Sequence, residues 1–120
     1  MDIKIKRAYD PPDQNDGFRI LVDRIWPRGL SKAKAKVDLW LKSIAPSSEL
    51  RKWYNHDPEK WEQFKIKYSK ELADNDVSVE SLITEANKHH TVTLIFGSKE
   101  LKLNNATALR EFVYNKLQLL

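Results

Sequence analysis

The sequence predicts a single α/β domain over residues 1–120, with a mostly parallel central sheet flanked by helices. Short apolar runs typical of buried strands occur at residues 18–22 and 92–96. Apolar residues recur at helical spacing in long segments beside these runs, and strands combined with amphipathic helices bury each other in layers. A chain of 120 residues is long enough for one such domain and too short for two ordinary ones.

The first third of the chain predicts strands and one short helix. Ile3 and Ile5 alternate with lysines, which indicates a half-buried first strand. Segment 10–17 is rich in turn formers and contains Pro11-Pro12, so it predicts an exposed loop. Residues 18–22 are apolar except for Arg19, as expected of a central strand covered on both faces. Residues 30–36 predict a short helix, and residues 37–44 fit either a strand or a helical turn, with the strand favoured.

The remainder predicts four helices and one more strand. Ser47 or Ser48 can cap a helix that carries Leu50, Trp53 and Tyr54. Asp57-Pro58-Glu59 is typical of a helix start, because Asp caps free amides and Pro fits the first helical position. Two long helical faces follow, then the strand at 92–96 ended by Gly97-Ser98, and a last helix capped by Asn104. The predicted buried faces are Trp61, Phe64, Tyr68 and Leu72; Val79, Leu82, Ile83 and Ala86; and Leu109, Phe112, Val113 and Leu117.

Composition excludes several classes of chemistry. The chain has no cysteine, so disulfides, thiolate nucleophiles and sulfur-ligated metals are excluded. Neither a metal-binding pattern nor a nucleotide-binding glycine pattern is present, and we expect no metal and no cofactor. The net charge is +4, which favours polyanionic partners without requiring one. No apolar run approaches the ~20 residues that span a bilayer, and the first residues lack a secretory pattern, so we expect a soluble cytoplasmic protein without membrane partners.

The densest group of candidate ligand-binding residues follows the strand at 18–22. If this strand is central, Asp23, Arg24, Trp26 and Arg28 emerge at its carboxyl end, where parallel α/β sheets bind ligands. Arginine suits phosphate or carboxylate, and tryptophan stacks on bases or sugars. The structural alternative is equally consistent: Asp23 pairs with an arginine, Trp26 fills the edge of the core and Pro27 stiffens the turn.

Two further segments carry candidate site residues. In Trp53-Tyr54-Asn55-His56-Asp57, the imidazole of His56 suits acid–base work or anion binding, and Asp57 can orient it, although helix capping alone also explains Asp57. In Gly97-Ser98-Lys99-Glu100, Lys99 and the helix start at Asn104 can hold an anion. The full prediction assigns possible catalysis to His56, Asp23 and Asp57, and ligand binding to Arg19, Arg24, Trp26, Arg28, Arg51, Trp53, Ser98, Lys99 and Asn104.

The segments VDRIWPRG and LRKWYNHDPEKW, together with YDPP and TLIFGSKELKLNNATAL, resemble the YeaO-like family, catalogued as domain of unknown function 488. The resemblance covers nearly the whole chain and carries no settled activity. It implies a site formed by Arg19, Asp23, Arg24, Trp26, Pro27 and Arg28 in the first motif and by Arg51, Trp53, His56 and Asp57 in the second. Members of the family often carry His-Asn-His where Leu103-Asn104-Asn105 stands here, so this chain lacks the groups that a mechanism based on those histidines needs.

Three functions remain open from the sequence; one of them, a passive protein-interaction domain, applies if the arginine turn is wholly buried and no concave site exists. The first is an α/β domain that binds an anionic small molecule, phosphate-like or nucleotide-like, in a crevice of Arg24, Arg28, Trp26, Arg51 and His56. The alternative is a nucleic-acid-binding or regulatory module, in which surface lysines follow a phosphate backbone. Those lysines are Lys32, Lys34, Lys36, Lys65, Lys67 and Lys70, which solubility also explains. No residue pattern selects between binding and catalysis, and none gives the oligomeric state.

Overall fold

In the computed structural model, which describes residues 1–118, four parallel strands form one sheet. The strands are β1 (Asp2–Arg7), β2 (Phe18–Leu21), β3 (Leu39–Trp40) and β4 (Thr91–Phe96), and the α-helices are α1 (Lys32–Ala35), α2 (Ser48–Tyr54), α3 (Trp61–Ala73), α4 (Asp76–His89) and α5 (Asn105–Leu117). Single 3-10 turns occupy Gln14–Asp16, Lys42–Ile44 and Pro58–Lys60. The predicted fold class is confirmed.

The strand order is β1-β4-β2-β3, so β2 and β4 are the two inner strands. Ile20 pairs with Leu94 on one side and with Leu39 on the other, and every pairing is parallel. The prediction that the strands beginning at Phe18 and Val92 run parallel is confirmed. Because both inner strands end at the same edge of the sheet, the residues that follow Leu21 and Phe96 are brought together.

The main core lies between one face of the sheet and the long helices. Ile20, Val92 and Leu94 point to this face and are completely buried. The predicted helical faces supply Phe64, Tyr68, Leu72, Val79, Leu82, Ile83, Ala86, Leu109 and Val113, with Trp61, Phe112 and Leu117 partly buried against them. The 3.6-residue spacing therefore identified the helical side of this core correctly.

The second face of the sheet is covered by loops. Leu21 and Ile95 pack there with Ala8, against the partly buried Trp26 and Trp40. Trp61, predicted in a buried face, is half-buried at the margin of the main core, and Trp40 is half-buried at the margin of this second cluster. Residues 20–22 are fully buried, as predicted for a strand covered on both faces.

Arg19 forms a buried ion pair on this second face. Its Nη1 donates to Asp16 Oδ2 at 2.6 Å, its Nη2 to the Ala35 carbonyl at 2.8 Å and its Nε to the Lys36 carbonyl at 3.1 Å. Burial alone would raise the pKa of Asp16, but hydrogen bonds from the Asp13 backbone, Lys6 and Arg19 outweigh it and lower the pKa. The Arg19 guanidinium is thus fully engaged within the fold.

Two local predictions need adjustment. Only Leu39–Trp40 of the segment 37–44 forms a strand, and Lys42–Ile44 continues as a 3-10 turn, so both interpretations of this segment apply in part. The Asp57 side chain accepts a hydrogen bond from Glu59 N, but it caps the 3-10 turn Pro58–Lys60, and α3 begins only at Trp61. The caps at Ser47 and Asn104 are confirmed, since their side chains accept from the amides of residues three positions later.

Candidate functional site

A cleft of about 220 Å³ opens at the carboxyl edge of the sheet. It is lined by the segments that follow β2 and β4, by the end of α2 and by the start of α5. Its polar lining consists of Asp23, Arg24, Arg51, His56, Ser98, Asn104 and Asn105, and its apolar lining includes Ile25, Pro46, Tyr54, Phe64 and Leu103. This is the edge at which parallel α/β sheets place ligand sites.

Asp23 connects the three elements that meet at the cleft. Its Oδ2 accepts from Gly97 N at 2.8 Å, and its Oδ1 accepts from Asn105 Nδ2 at 3.0 Å. Asn105 also donates to the Val22 carbonyl at 3.1 Å. Burial raises the pKa of Asp23, whereas the bonds from Asn105 and Gly97 and the charge of Arg51 oppose the rise. A half-buried carboxylate therefore joins the end of β2 to the end of β4 and the start of α5.

Three nitrogen-rich side chains line the outer part of the cleft. Arg24 is exposed and donates through Nη2 to the Ala45 carbonyl at 3.1 Å, which fixes its direction. Arg51 projects from the last turn of α2, and His56 follows that helix; both are exposed. Arg51 and His56 have no side-chain hydrogen bond or salt bridge to the described residues, so their N–H groups are available to a ligand.

The position of His56 depends on an unusual backbone. Asn55 and His56 both adopt positive φ angles, 45° and 55°. Asn tolerates this conformation well, but it is uncommon for histidine and costs on the order of 1–3 kcal/mol. The two residues turn the chain after α2 and bring His56 back beside Tyr54, with ring centroids 6.4 Å apart. This turn places the imidazole of His56 in the lining of the cleft.

The inner wall of the cleft is aromatic. Tyr54 stacks on Phe64 with ring centroids 4.3 Å apart, and both rings are almost fully buried. The Tyr54 hydroxyl donates to the Leu103 carbonyl at 2.8 Å, which ties α2 to the loop before α5. Ile25, by contrast, is 58% exposed at the opening. The cleft thus combines an apolar floor with polar groups around it, as small-molecule sites commonly do.

The loop between β4 and α5 closes the remaining side. The Glu100 carboxylate accepts hydrogen bonds from Leu103 N and Lys102 N, and these bonds, aided by nearby Lys102 and His56 charges, lower its pKa. Ser98 Oγ accepts from Glu100 N at 3.0 Å. Asn104 is buried and uses its side chain for the cap of α5 and for the Glu100 carbonyl. Asn104 therefore lines the cleft mainly as a structural residue.

The structure brings together six of the predicted site residues: Asp23, Arg24, Arg51, His56, Ser98 and Asn104 all line the cleft. The expected meeting of the arginine-containing turn with His56 is present, through Arg24.

Six other predicted site residues lie outside the cleft lining. Arg19 is in its buried ion pair, and Asp57 caps the turn before α3. Trp26 donates its indole N–H to the Leu30 carbonyl at 2.6 Å and packs edge-on against Trp40, as the structural alternative required. Arg28, Lys99 and Trp53 are exposed, and the Trp53 ring lies beneath the ammonium groups of two lysines.

Sequence reasoning missed several lining residues, of which Asn105 is the most informative. It directly follows the predicted cap Asn104 and contacts Asp23 from 82 positions away along the chain. The rule that ligands collect where parallel strands end could have identified it, because it begins the element after β4. Tyr54 and Phe64 were predicted only as faces of helices.

The lysines of the alternative prediction do not all remain free. Lys65 forms salt bridges with Glu62 and Glu111, both at 3.4 Å, and Lys67 lies over the Trp53 ring at 4.8 Å. The other four lysines are exposed. Binding of nucleic acid by this surface stays a prediction. Within residues 1–118, no cluster of three or more His, Asp or Glu side chains suits a metal ion, and no helix is long and apolar enough to cross a membrane.

The fold and the cleft together define a small parallel α/β domain with an open polar site at the carboxyl edge of its sheet. The chain belongs to the family described as the inactive DUF488-N3 subclade, whose model matches residues 2–119. It is similar to the uncharacterized protein YeaO of Escherichia coli K12, with 40% identity over 113 residues, or 94% of this chain and 97% of YeaO. The resemblance predicted from the motifs is thereby confirmed.

A second relative is the uncharacterized protein Rv3073c of Mycobacterium tuberculosis H37Rv. It is 35% identical over 111 residues, which cover 92% of each chain. No solved structure matches the chain significantly. The comparisons therefore identify the family, and the names of these two relatives give no activity.

Proposed function

We propose that this domain binds a small anionic ligand, phosphate-like or nucleotide-like, in the cleft at the carboxyl edge of the sheet. The observation that carries the proposal is the convergence of Arg24, Arg51 and His56 on one concave site. Arg51 and His56 have donors without partners among the described residues, and Arg24 is held in place by backbone carbonyls. Arginine and histidine N–H donors that lack a protein partner favour an anion, because charge-assisted hydrogen bonds to it are strong.

We further propose that binding proceeds without turnover. The description of the family as an inactive subclade supports this. Asp57, predicted to orient His56, instead accepts a hydrogen bond from Glu59 N at 3.0 Å. His56 and Asp23 remain the candidates for acid–base chemistry if turnover occurs.

The test compares Arg51→Ala with Lys52→Ala by isothermal titration calorimetry. Lys52 is a matched control, because it is the exposed neighbour of Arg51 on the same helix and lies outside the cleft lining. The probes are inorganic phosphate, ribose 5-phosphate and adenosine monophosphate. Loss of a charge-assisted hydrogen bond is worth about 1.5–3 kcal/mol, so Arg51→Ala should weaken binding about 10-fold to 100-fold.

Lys52→Ala should leave the affinity unchanged within about twofold, because Lys52 is exposed outside the cleft lining and salt screens its charge. Two results would contradict the proposal: no binding of any of these anions to the wild-type protein, or equal loss of affinity in both variants. Release of product during prolonged incubation with adenosine monophosphate would contradict binding without turnover.

A further inference from the structure

The cleft places a carboxylate among cations, and this arrangement restricts the ligand. Asp23 lies in the inner part, whereas Arg24, Arg51 and His56 are exposed at the outside. An ionised carboxylate repels phosphate at short range, so a simple inorganic anion does not complement the whole site. A complementary ligand carries negative charge at one end and hydrogen-bond donors at the other.

The inner end of the cleft has hydrogen-bond acceptors to spare. A carboxylate offers about four lone-pair positions, and Asp23 uses two of them within the described residues, for Gly97 N and Asn105 Nδ2. Asn105 spends both amide hydrogens on Asp23 and the Val22 carbonyl, which leaves its Oδ1 as an acceptor. The two side chains are tied to each other, so these acceptors have a fixed geometry and suit hydroxyl groups.

Arg51 and Asp23 line the same cleft without pairing. Among the described residues they form neither a hydrogen bond nor a salt bridge, although an arginine and a carboxylate of one cleft pair directly when they are in reach. The charge of Arg51 still opposes the rise that burial causes in the pKa of Asp23. A ligand in the cleft can contact both groups.

We propose that the ligand of this cleft is a phosphorylated polyol of the sugar phosphate class. Its phosphate binds Arg51 and His56 at the outside, and its hydroxyls donate to Asp23 and Asn105 within. The apolar C–H faces of the sugar pack on Ile25 and Leu103, the accessible apolar residues of the lining. This inference rests on the proposed anion-binding function. It adds that the Asp23 carboxylate selects a ligand whose other end carries hydroxyl groups.

The experiment measures the affinity of the wild-type protein for ribose 5-phosphate and for n-pentyl phosphate by calorimetry. The two probes share the phosphate and the carbon number, and only the sugar carries hydroxyls. Ribose 5-phosphate should bind at least about 10-fold more tightly, as expected when two or more hydroxyls find half-buried acceptors in the cleft. This comparison needs no variant and so does not depend on the stability of any mutant.

Variants then show which residues cause the preference for ribose 5-phosphate over n-pentyl phosphate. Asp23→Asn and Asn105→Ala should reduce the preference for ribose 5-phosphate to about threefold or less, while Arg51→Ala should weaken both probes by similar factors. Lys52→Ala should change neither. Urea midpoints of all variants verify that each is folded at the temperature of the titration.

The outcomes separate the two proposals. Equal affinity for both probes overturns the sugar phosphate assignment and leaves anion binding intact. A preference that survives in both Asp23→Asn and Asn105→Ala overturns the role of these acceptors. Absence of binding by either probe, with Arg51→Ala indistinguishable from wild type, overturns the anion-binding function itself.

Discussion

Replacing Arg19 with methionine tests whether this arginine stabilises the core rather than binding a ligand. The substitution keeps an apolar stem of similar length and removes a guanidinium that is only 4% exposed. Asp16, itself 5% exposed, then loses its 2.6 Å partner, and the carbonyls of Ala35 and Lys36 lose their side-chain donor. The guanidinium occupies no part of the cleft lining, so ligand binding should not depend on it.

Breaking one side of a buried ion pair costs about 3–5 kcal/mol. The lower end applies here, because Asp16 keeps Lys6 Nζ at 3.2 Å and Asp13 N at 3.0 Å. We therefore expect the free energy of unfolding to fall by about 3 kcal/mol. With a urea m-value of about 1.5 kcal/mol/M, the midpoint of urea denaturation moves down by about 2 M.

Arg28→Met is the matched control for this substitution. Arg28 is exposed, and only its backbone carbonyl accepts a hydrogen bond, from the Tyr9 hydroxyl. Its replacement should change stability by no more than about 0.5 kcal/mol. The reasoning fails if Arg19→Met lowers stability by less than about 1 kcal/mol at an unchanged m-value. It also fails if the variant loses phosphate affinity while keeping its midpoint, because Arg19 would then act on the ligand.

Three further predictions concern stability. The pKa of Asp16 lies below its ordinary value of 3.8, so the ionised carboxylate stabilises the fold above pH 3.8. In urea denaturation, Asp16→Asn should therefore be less stable than the wild type near neutral pH, and the difference in free energy of unfolding should shrink as the pH falls below 3.8. Tyr68→Phe should cost about 1–2 kcal/mol, because the buried hydroxyl donates to the Ile44 carbonyl at 2.6 Å. Gly29→Ala should lower the free energy of unfolding by about 1–2 kcal/mol, because Gly29 has a positive φ. Gly17→Ala should lower it clearly more in the same urea denaturation, because the added Cβ would lie 2.2 Å from the backbone oxygen of Thr91.

The local sequence determined the elements and most of their ends. Short, mainly apolar runs marked the two inner strands, and helical spacing marked the buried faces of α3, α4 and α5. Ser47, Asp57 and Asn104 were identified as caps because a short side-chain acceptor before a helical segment satisfies amides within three residues. These features depend on neighbours close in sequence, which is why they could be predicted. The segment 37–44 has no such strong signal, and its prediction was only partly correct.

Tertiary structure alone decided which polar residues share a site. In the stretch after β2, Asp23 and Arg24 face the cleft, whereas Trp26 turns away because its indole N–H bonds the Leu30 carbonyl. Arg19 carries the same guanidinium as Arg24. Strand alternation, however, directs Arg19 to the face of the sheet away from the main core, where it forms an ion pair with Asp16. Asp23 meets Gly97 and Asn105 across separations of 74 and 82 residues. The sequence specifies which residues are charged, but contacts over such separations arise only when the parallel strands assemble side by side, and they decide which charges a ligand can reach.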